Sequence, residues 1–409
     1  MSRYAIVGSG VAGVTAAQTI ARADRGAEVV LIGCEPHPYY QRPRLWALIA
    51  DEIEEHELFF RPSEWYAEQG IRLHLDTAVH ELDPVAHELA LTDGTTVNYD
   101  RLLLATGGMP FLPPIEGIEL DGVFPLRTLQ HAREIKAFAE RVDRALIVGG
   151  GLLGLETARA LLRPHRQVAV LEIVPHLLPR QLDPPGAALL THLLEEMGLE
   201  IIVGKHTQAI VGGDRAEGVR FADETETEGD MVVLSTGIRS RTDLAHEAGL
   251  AVNRGIVVDE QLRTSAEDIF AAGDAAEFDG RVYGIIPAAV EQARAAAMNM
   301  IERGAVTYSG TVPSTTLKIV GIDLTCLGES TADGDPYHVV RRADRERGVY
   351  RKLALRDGQI VGAILLGDLA GVRPIQQLIS SQRNVAAYAG RLLDEDFDLR
   401  ALARGETPG

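Results

Sequence analysis

The chain predicts an α/β fold in which two units of one kind, each a strand, a glycine loop and a helix, are followed by a C-terminal α+β domain. Three observations predict it. An apolar strand runs into G-x-G-x-x-G and an Ala-rich helix from Tyr4, and the same arrangement recurs from Ala145. From about residue 309 the pattern changes to alternating strands, including a hairpin whose turn is Asp357-Gly358. The length of 409 residues supports roughly two to three domains. With 46% hydrophobic and 24% charged residues, the composition excludes disorder, collagen and fibrous repeats.

Lys and Arg number 40 against 59 Asp and Glu, a net charge of −19 that repels phosphate backbones and anionic membranes. Neither a nucleic-acid nor a membrane partner is expected. Two cysteines, Cys34 and Cys326, cannot form a disulfide framework, a four-cysteine iron–sulfur cluster or a C-x-x-C motif, and they suit a reducing compartment. Residues 4–7 already read as a strand, with no positive n-region followed by an apolar h-region, and no stretch approaches the ~18 apolar residues of a membrane span, so neither a leader nor a span is expected. These features predict a soluble, cytoplasmic protein without a metal site.

In the first loop, Gly8 permits the tight turn, Gly10 lets a pyrophosphate approach the backbone, and Gly13 lets the helix pack on the strand. The next strand, Glu28-Val-Val-Leu-Ile, leads to Glu35, an acid placed to accept hydrogen bonds from ribose hydroxyls. Gly149, Gly151 and Gly154 repeat the pattern, and Val168-Ala-Val-Leu-Glu172 repeats the second strand with its acid. No Arg stands at Ile173, Val174 or Pro175 to take a 2′-phosphate, so NADH is expected over NADPH. Two such sites imply two dinucleotides, most economically a tightly held FAD and a transient NADH, with hydride passing between them. Further on, Gly273-Asp274 follows an apolar strand, placing Asp274 to bind a ribityl or phosphate-side hydroxyl where an Ala-rich helix begins near Ile286 and Pro287.

With these residues in view, the chain resembles the two-dinucleotide flavoproteins of the pyridine-nucleotide oxidoreductase family, which includes glutathione reductase and the ferredoxin reductases. The resemblance rests on both loops with Glu35 and Glu172, on Leu102-Leu-Leu-Ala-Thr106-Gly107, on Glu156, on Val232-Val-Leu-Ser-Thr-Gly237 and on the segment ending at Asp274. It implies two Rossmann-like domains of the glutathione-reductase kind. Their expected bounds are FAD-binding residues 1–111, an NADH domain over 112–238, FAD-binding residues again over 239–308, and the C-terminal domain over 309–409. The second crossing carries Ser240 and Arg241 where the family usually has Pro and Asn.

The branch is set by missing chemistry. Disulfide reductases of the family need a C-x-x-x-x-C pair beside the flavin, and single-thiol branches need a cysteine that residues 36–50 do not contain. Cys34 and Cys326 read as buried small hydrophobes. Electrons must then leave the flavin for an external acceptor. Tyr39-Tyr-Gln-Arg42-Pro43-Arg-Leu45 resembles the R-P-x-L turn of NADH:rubredoxin oxidoreductases, ferredoxin reductases and the flavoprotein part of NADH-dependent nitrite reductases. Residues 315–323 resemble that group too, as does Leu126-Arg127-Thr128, whose Arg implies an FAD contact. Val79 falls where the group sets a backbone group against adenine.

After the R-P-x-L turn the ferredoxin-reductase pattern has Ser-Lys, the Lys pairing with the acid that is here Glu156, but this chain has Trp46-Ala47. Glu156, expected to orient the nicotinamide, would then be protonated with a raised pKa, or would find Arg42 or Arg44. The leading expectation is an NADH-dependent FAD reductase serving rubredoxin, a ferredoxin-like protein or an iron–sulfur partner subunit. An oxidase using O2 and a redox-sensing flavoprotein subunit are the alternatives. The basic run 341–352 reads as a solvated charged stretch, and it or Arg42 with Arg44 could serve as a basic patch for an acidic carrier.

Overall fold

A computed structural model describes residues 1–319 and 321–407. Val320, within the segment 315–323, lies outside the described residues. The chain divides into two compact units, one of Met1–Arg44, Ile53–Phe111 and Ile238–Thr311, the other of Leu45–Glu52, Leu112–Gly237 and Val312–Gly409. The short helix Leu45–Ile49 thus belongs to the second unit, apart from the rest of the first hundred residues.

Short runs of branched and aliphatic residues make the first unit's sheet. Arg3–Val7 is buried at four of its five positions and lies between Glu28–Ile32 and Arg101–Leu104, with Ile71–His74 and Ile269–Ala271 at the two edges, all parallel. A strand buried on both faces reads as a continuous apolar run, as these do. Helices Val11–Ala23 and Ile286–Ile301 pack on one another beside it, and their many alanines allow the close approach.

The second unit repeats this plan. Its parallel sheet runs Glu200–Val203, Gln167–Glu172, Arg144–Val148, Met231–Leu234, Val123–Pro125; the first four follow the order of the first unit, but the outer strand Val123–Pro125 precedes the glycine-loop strand in the chain, where Ile269–Ala271 comes last in the first unit. The likeness also extends beyond the glycine loops. A three-stranded antiparallel meander follows the edge strand in each unit, at Val79–Asp83, Glu88–Leu91 and Thr96–Asn98 in one and at Thr207–Gly212, Ala216–Phe221 and Glu226–Glu228 in the other.

The C-terminal sheet is antiparallel throughout, ordered Ser314–Ile319, Ile322–Gly328, Gln359–Leu366, Val349–Arg356, His338–Asp344. Its hairpin turns at Asp357 and Gly358, both at positive φ (53° and 78°), as a two-residue turn demands. One face, with Leu327, Leu353, Ala363 and Leu365, builds a core with Ile375, Leu378, Leu392 and Leu402. The basic run 341–352 is exposed at residues 341–343 and 345–347, as expected of a solvated stretch, but it is laced with ion pairs and ends in the buried Lys352. Arg341 pairs with Asp183 and Asp333, Arg342 with Asp394, Arg347 with Glu395 and Arg351 with Asp368, while Lys352 is wholly buried beside Asp183. Strand alternation sends Lys352 inward, and its charge is met by an acid from 169 positions earlier in the chain. No described helix is long and apolar enough to cross a membrane.

Candidate functional site

The two glycine loops have matching geometry, glycine by glycine. Gly8 and Gly149 take φ of 116° and 118°, and a Cβ would stand 2.0 Å from the Ala105 carbonyl oxygen in one and 2.3 Å from that of Ser235 in the other. Gly13 and Gly154 sit in the first helical turns, where a Cβ would meet the carbonyl oxygens of Gly8 at 1.8 Å and Gly149 at 2.0 Å. Gly10 and Gly151 differ from these. No atom lies within 4 Å of an added Cβ at either, and each caps its helix with no side-chain acceptor for the exposed amides. Open space in front of unpaired helix N–H groups is what a pyrophosphate needs, so both loops fit a dinucleotide.

Around the first loop the structure gathers most of the predicted residues at the carboxyl ends of the parallel strands, where ligands of such sheets bind. Glu35 shares a cleft with Ser9, Gly10, Tyr40 and Arg42. Its carboxylate accepts the Tyr40 hydroxyl at 2.6 Å on Oε2 and the Arg42 guanidinium at 2.6 Å on Oε1. Sequence pattern did not single out Tyr40. Thr106 and Gly107 follow the strand Arg101–Leu104; the Thr106 hydroxyl donates to the Arg241 carbonyl at 2.7 Å, and the Arg241 amide donates to Gly107. Gly273, at φ 79°, lies 3.0 Å from the Ala12 Cβ and 3.6 Å from the Ala289 Cβ measured from the Cβ it lacks, so it seats Asp274 between the starts of the two long helices, the second opening at Ile286. Ser240 donates to the Asp274 carbonyl at 2.6 Å, which gives that unexpected serine a role. Val79 opens the meander at a bulge, two residues beyond Thr77, whose amide donates to Gly33. Arg127 is in the second unit, just ahead of Thr128, the cap of helix Leu129–Ala139.

One reading is corrected here. Cys34 is exposed, not buried, because the strand ends at Ile32 and the chain leaves the sheet after Gly33; its Sγ lies 3.8 Å from the Arg241 guanidinium. Cys326 is buried as expected, and burial pushes its thiol up to about 12.

At the second loop, Glu172 is buried and its carboxylate accepts the Gly150 amide at 2.8 Å and the Val174 amide at 2.9 Å. It therefore shapes the loop. Lys205, whose amide donates to the Glu172 carbonyl, sends its ammonium to Asp223 and Thr225. Gly237, at φ 102°, ends the segment after Met231–Leu234 with open space about it. Glu156 lies in helix Leu152–Leu161, which packs against Leu45–Ile49, the short helix holding Ala47. Among the described residues the Glu156 carboxylate has no ion-pair or hydrogen-bond partner, and burial raises its pKa to about 7. Arg42 is engaged by Glu35, and Arg44 donates to the Glu57 carbonyl at 3.1 Å.

Two like α/β units, each with a glycine loop open for a pyrophosphate, define a two-dinucleotide protein. Residues 2–297 match the pyridine nucleotide-disulphide oxidoreductase family, and the chain belongs to it. Residues 313–383 match the rubredoxin NAD+ reductase C-terminal domain. The chain is 35% identical over 383 residues to the nitrite reductase [NAD(P)H] of Bacillus subtilis (strain 168), covering 93% of this chain and 47% of that one, about half its length. It is 30% identical over 408 residues to the ferredoxin reductase component of the chlorobenzene dioxygenase of Cupriavidus sp. (strain PS12), covering 99% and 98%. Among solved structures, the covalent putidaredoxin reductase–putidaredoxin complex is similar with a TM-score of 0.88 at 27% identity, covering 99% and 98%.

Proposed function

We propose that this protein takes electrons from NADH and passes them through FAD to a small redox protein such as rubredoxin, a ferredoxin-like protein or an iron–sulfur partner subunit. The observation that carries the reading is the pair of matching open loops at Gly10 and Gly151 in a chain with no redox dithiol. The names of its relatives support it: a nitrite reductase [NAD(P)H], a ferredoxin reductase component and a putidaredoxin reductase in complex with putidaredoxin. A reducing compartment, the cytoplasm, suits its two free cysteines.

Bound FAD supplies the ability to take two electrons as hydride and release them one at a time. The chain's own residues do the rest. Residues 1–111 and 239–308 hold FAD, with Gly8, Gly10 and Gly13 admitting the pyrophosphate and Glu35, fixed by Tyr40 and Arg42, accepting ribose hydroxyls. Val79, Thr106, Gly107, Arg127, Gly273, Asp274 and Ile286 complete that set. Residues 112–238 hold NADH through Gly149, Gly151, Gly154, Glu172 and Gly237, and residues 309–409 form the C-terminal domain. Glu156 holds a proton at its carboxyl and orients the nicotinamide, where small displacements cost large factors in rate.

The test is direct. The purified protein is expected to carry flavin, and NADH is expected to bleach its absorbance anaerobically. Turnover is then expected to rise when rubredoxin or ferredoxin is added to O2 alone. A colourless protein, or a flavin that NADH leaves oxidised, would sink the proposal; equal turnover with and without every carrier would favour an oxidase.

A further inference from the structure

The face of the C-terminal sheet opposite its apolar core carries polar groups that the proposed electron transfer does not use. Cys326 and Lys352 both pair with Ile364 across the strands, and Arg341 pairs with Lys352, so the four share one rung and one face. Tyr350 lies two residues before Lys352 and so on that face too. The group they converge on is Asp183, 3% exposed, at the start of helix Pro184–Glu196. Asp183 Oδ2 accepts the Tyr350 hydroxyl at 2.8 Å and Arg341 Nε at 3.2 Å, and stands 3.3 Å from Lys352 Nζ; Oδ1 accepts the Gly186 amide at 3.2 Å. Nearby, the Ser330 hydroxyl donates to the Gln181 carbonyl at 2.9 Å.

Asp183 ends a segment whose other end is the second glycine loop. The Glu172 carboxylate ties Gly150 to Val174, the Leu178 amide donates to the Gly150 carbonyl at 3.1 Å, and Leu177 packs so close to Gly150 that a Cβ there would lie 2.7 Å from it. Leu178 takes φ of 50°, a left-handed conformation costly for a residue with a Cβ, and it is fully buried. Such a conformation persists only where the surroundings hold it from both sides. Gly150 holds one side, and on the other the Gln181 and Leu182 amides donate to the Leu178 carbonyl at 2.9 Å each, immediately ahead of Asp183.

A buried lysine and aspartate are a poor choice if adhesion alone is wanted, because apolar side chains of the same volume join two surfaces as well or better. What the ionic cluster adds is direction. Three hydrogen-bond donors and the Lys352 ammonium on one carboxylate fix where residue 183 stands, at the end of the segment that runs back to Gly150.

We propose that Lys352, Tyr350 and Arg341 of the C-terminal sheet are positioning residues for nucleotide binding, acting through Asp183 and segment 174–182 on the second glycine loop. This rests on the reading that the second loop holds NADH. It assigns the C-terminal domain a part in nucleotide affinity.

The test uses the flavin-loaded full chain and measures the Kd for NAD+ by calorimetry, the KM and kcat with NADH, flavin content and Tm, in the wild type and in Lys352→Met, Tyr350→Phe and Ser330→Ala. Lys352→Met and Tyr350→Phe are expected to raise the Kd and KM about five- to tenfold, with kcat and flavin content within twofold of the wild type. Ser330→Ala is expected to show a smaller shift of the same sign. Unchanged Kd and KM in Tyr350→Phe, whatever its Tm, would overturn the proposal by making the cluster a structural support alone. Tyr350→Phe also decides the matter where Lys352→Met fails to fold. A wild type that binds no NAD+ rejects the assignment of the second loop itself, a result separate from variants that bind as tightly as the wild type.

Discussion

At the scale of single residues, the two open glycines make the sharpest test. Gly10→Val is expected to fold, since nothing stands within 4 Å of the new Cβ, yet to lose FAD because the branch fills the space of the pyrophosphate. Gly151→Val is expected to keep its flavin and show a steeply raised KM for NADH. Flavin absorbance and steady-state kinetics read both, and the reverse pattern would mean the sites are exchanged. Glu156 gives the pH signature. Its carboxyl, near 7 in the fold against an ordinary 4.5, ionises first in the unfolded chain, so stability falls as pH rises from 4.5 through about 7. Glu156→Gln is expected to remove that slope in thermal melts and to retain most of the stopped-flow flavin reduction. Ala47→Lys is expected to lower the transition by offering a cation; a hundredfold slowing in Glu156→Gln would mean that the carboxylate charge is required. Glu172→Ala is expected to weaken NADH more than NADPH, read as the ratio of their KM values, with some loss for both because the Gly150 and Val174 amides lose their acceptor.

At the scale of elements, each helix is fastened to its strand by a glycine with no room for a methyl group. Gly13→Ala and Gly154→Ala place a Cβ about 2 Å from a backbone oxygen, which cannot rotate away as a side chain would. Each is expected to cost more than ~2 kcal/mol in denaturant unfolding, and Gly26→Ala, whose new Cβ meets only a side-chain oxygen at 3.9 Å, serves as the tolerant control. Both glycine loops were legible in the sequence because their constraints are local. The meanders were not, although Thr92-Asp-Gly94 and Ala222-Asp-Glu224 carry matching turns with positive φ at Gly94 and Glu224. Their short strands alternate weakly, and only pairing makes them visible.

At the scale of the molecule, a net charge of −19 sets the long-range field. The basic run 341–352 offsets it little, since Arg341, Arg342, Arg347 and Arg351 are matched by acids of the chain itself. Turnover with an acidic carrier is therefore expected to rise as salt screens the repulsion, and turnover with a basic acceptor to fall. The two slopes against ionic strength check this. Slopes of the reverse signs, with the acidic carrier slowed by salt, would mean that a basic patch outweighs the net charge where the carrier docks.

Taken alone, the amino-acid sequence determined the class of fold, the two dinucleotide loops, the absence of a redox dithiol and the C-terminal hairpin. Each is a matter of short-range sterics or residue type: a positive φ, a missing Cβ, an Asp-Gly turn, a count of cysteines. Tertiary structure alone decided that Tyr40 and Arg42 fix Glu35, that Glu172 ties Gly150 to Val174, that Cys34 faces outward, and that Lys352 is buried against Asp183. The last of these joins residues 169 positions apart. No local propensity encodes such a pairing, because whether a charge is solvated or matched depends on which distant side chain the completed fold sets against it.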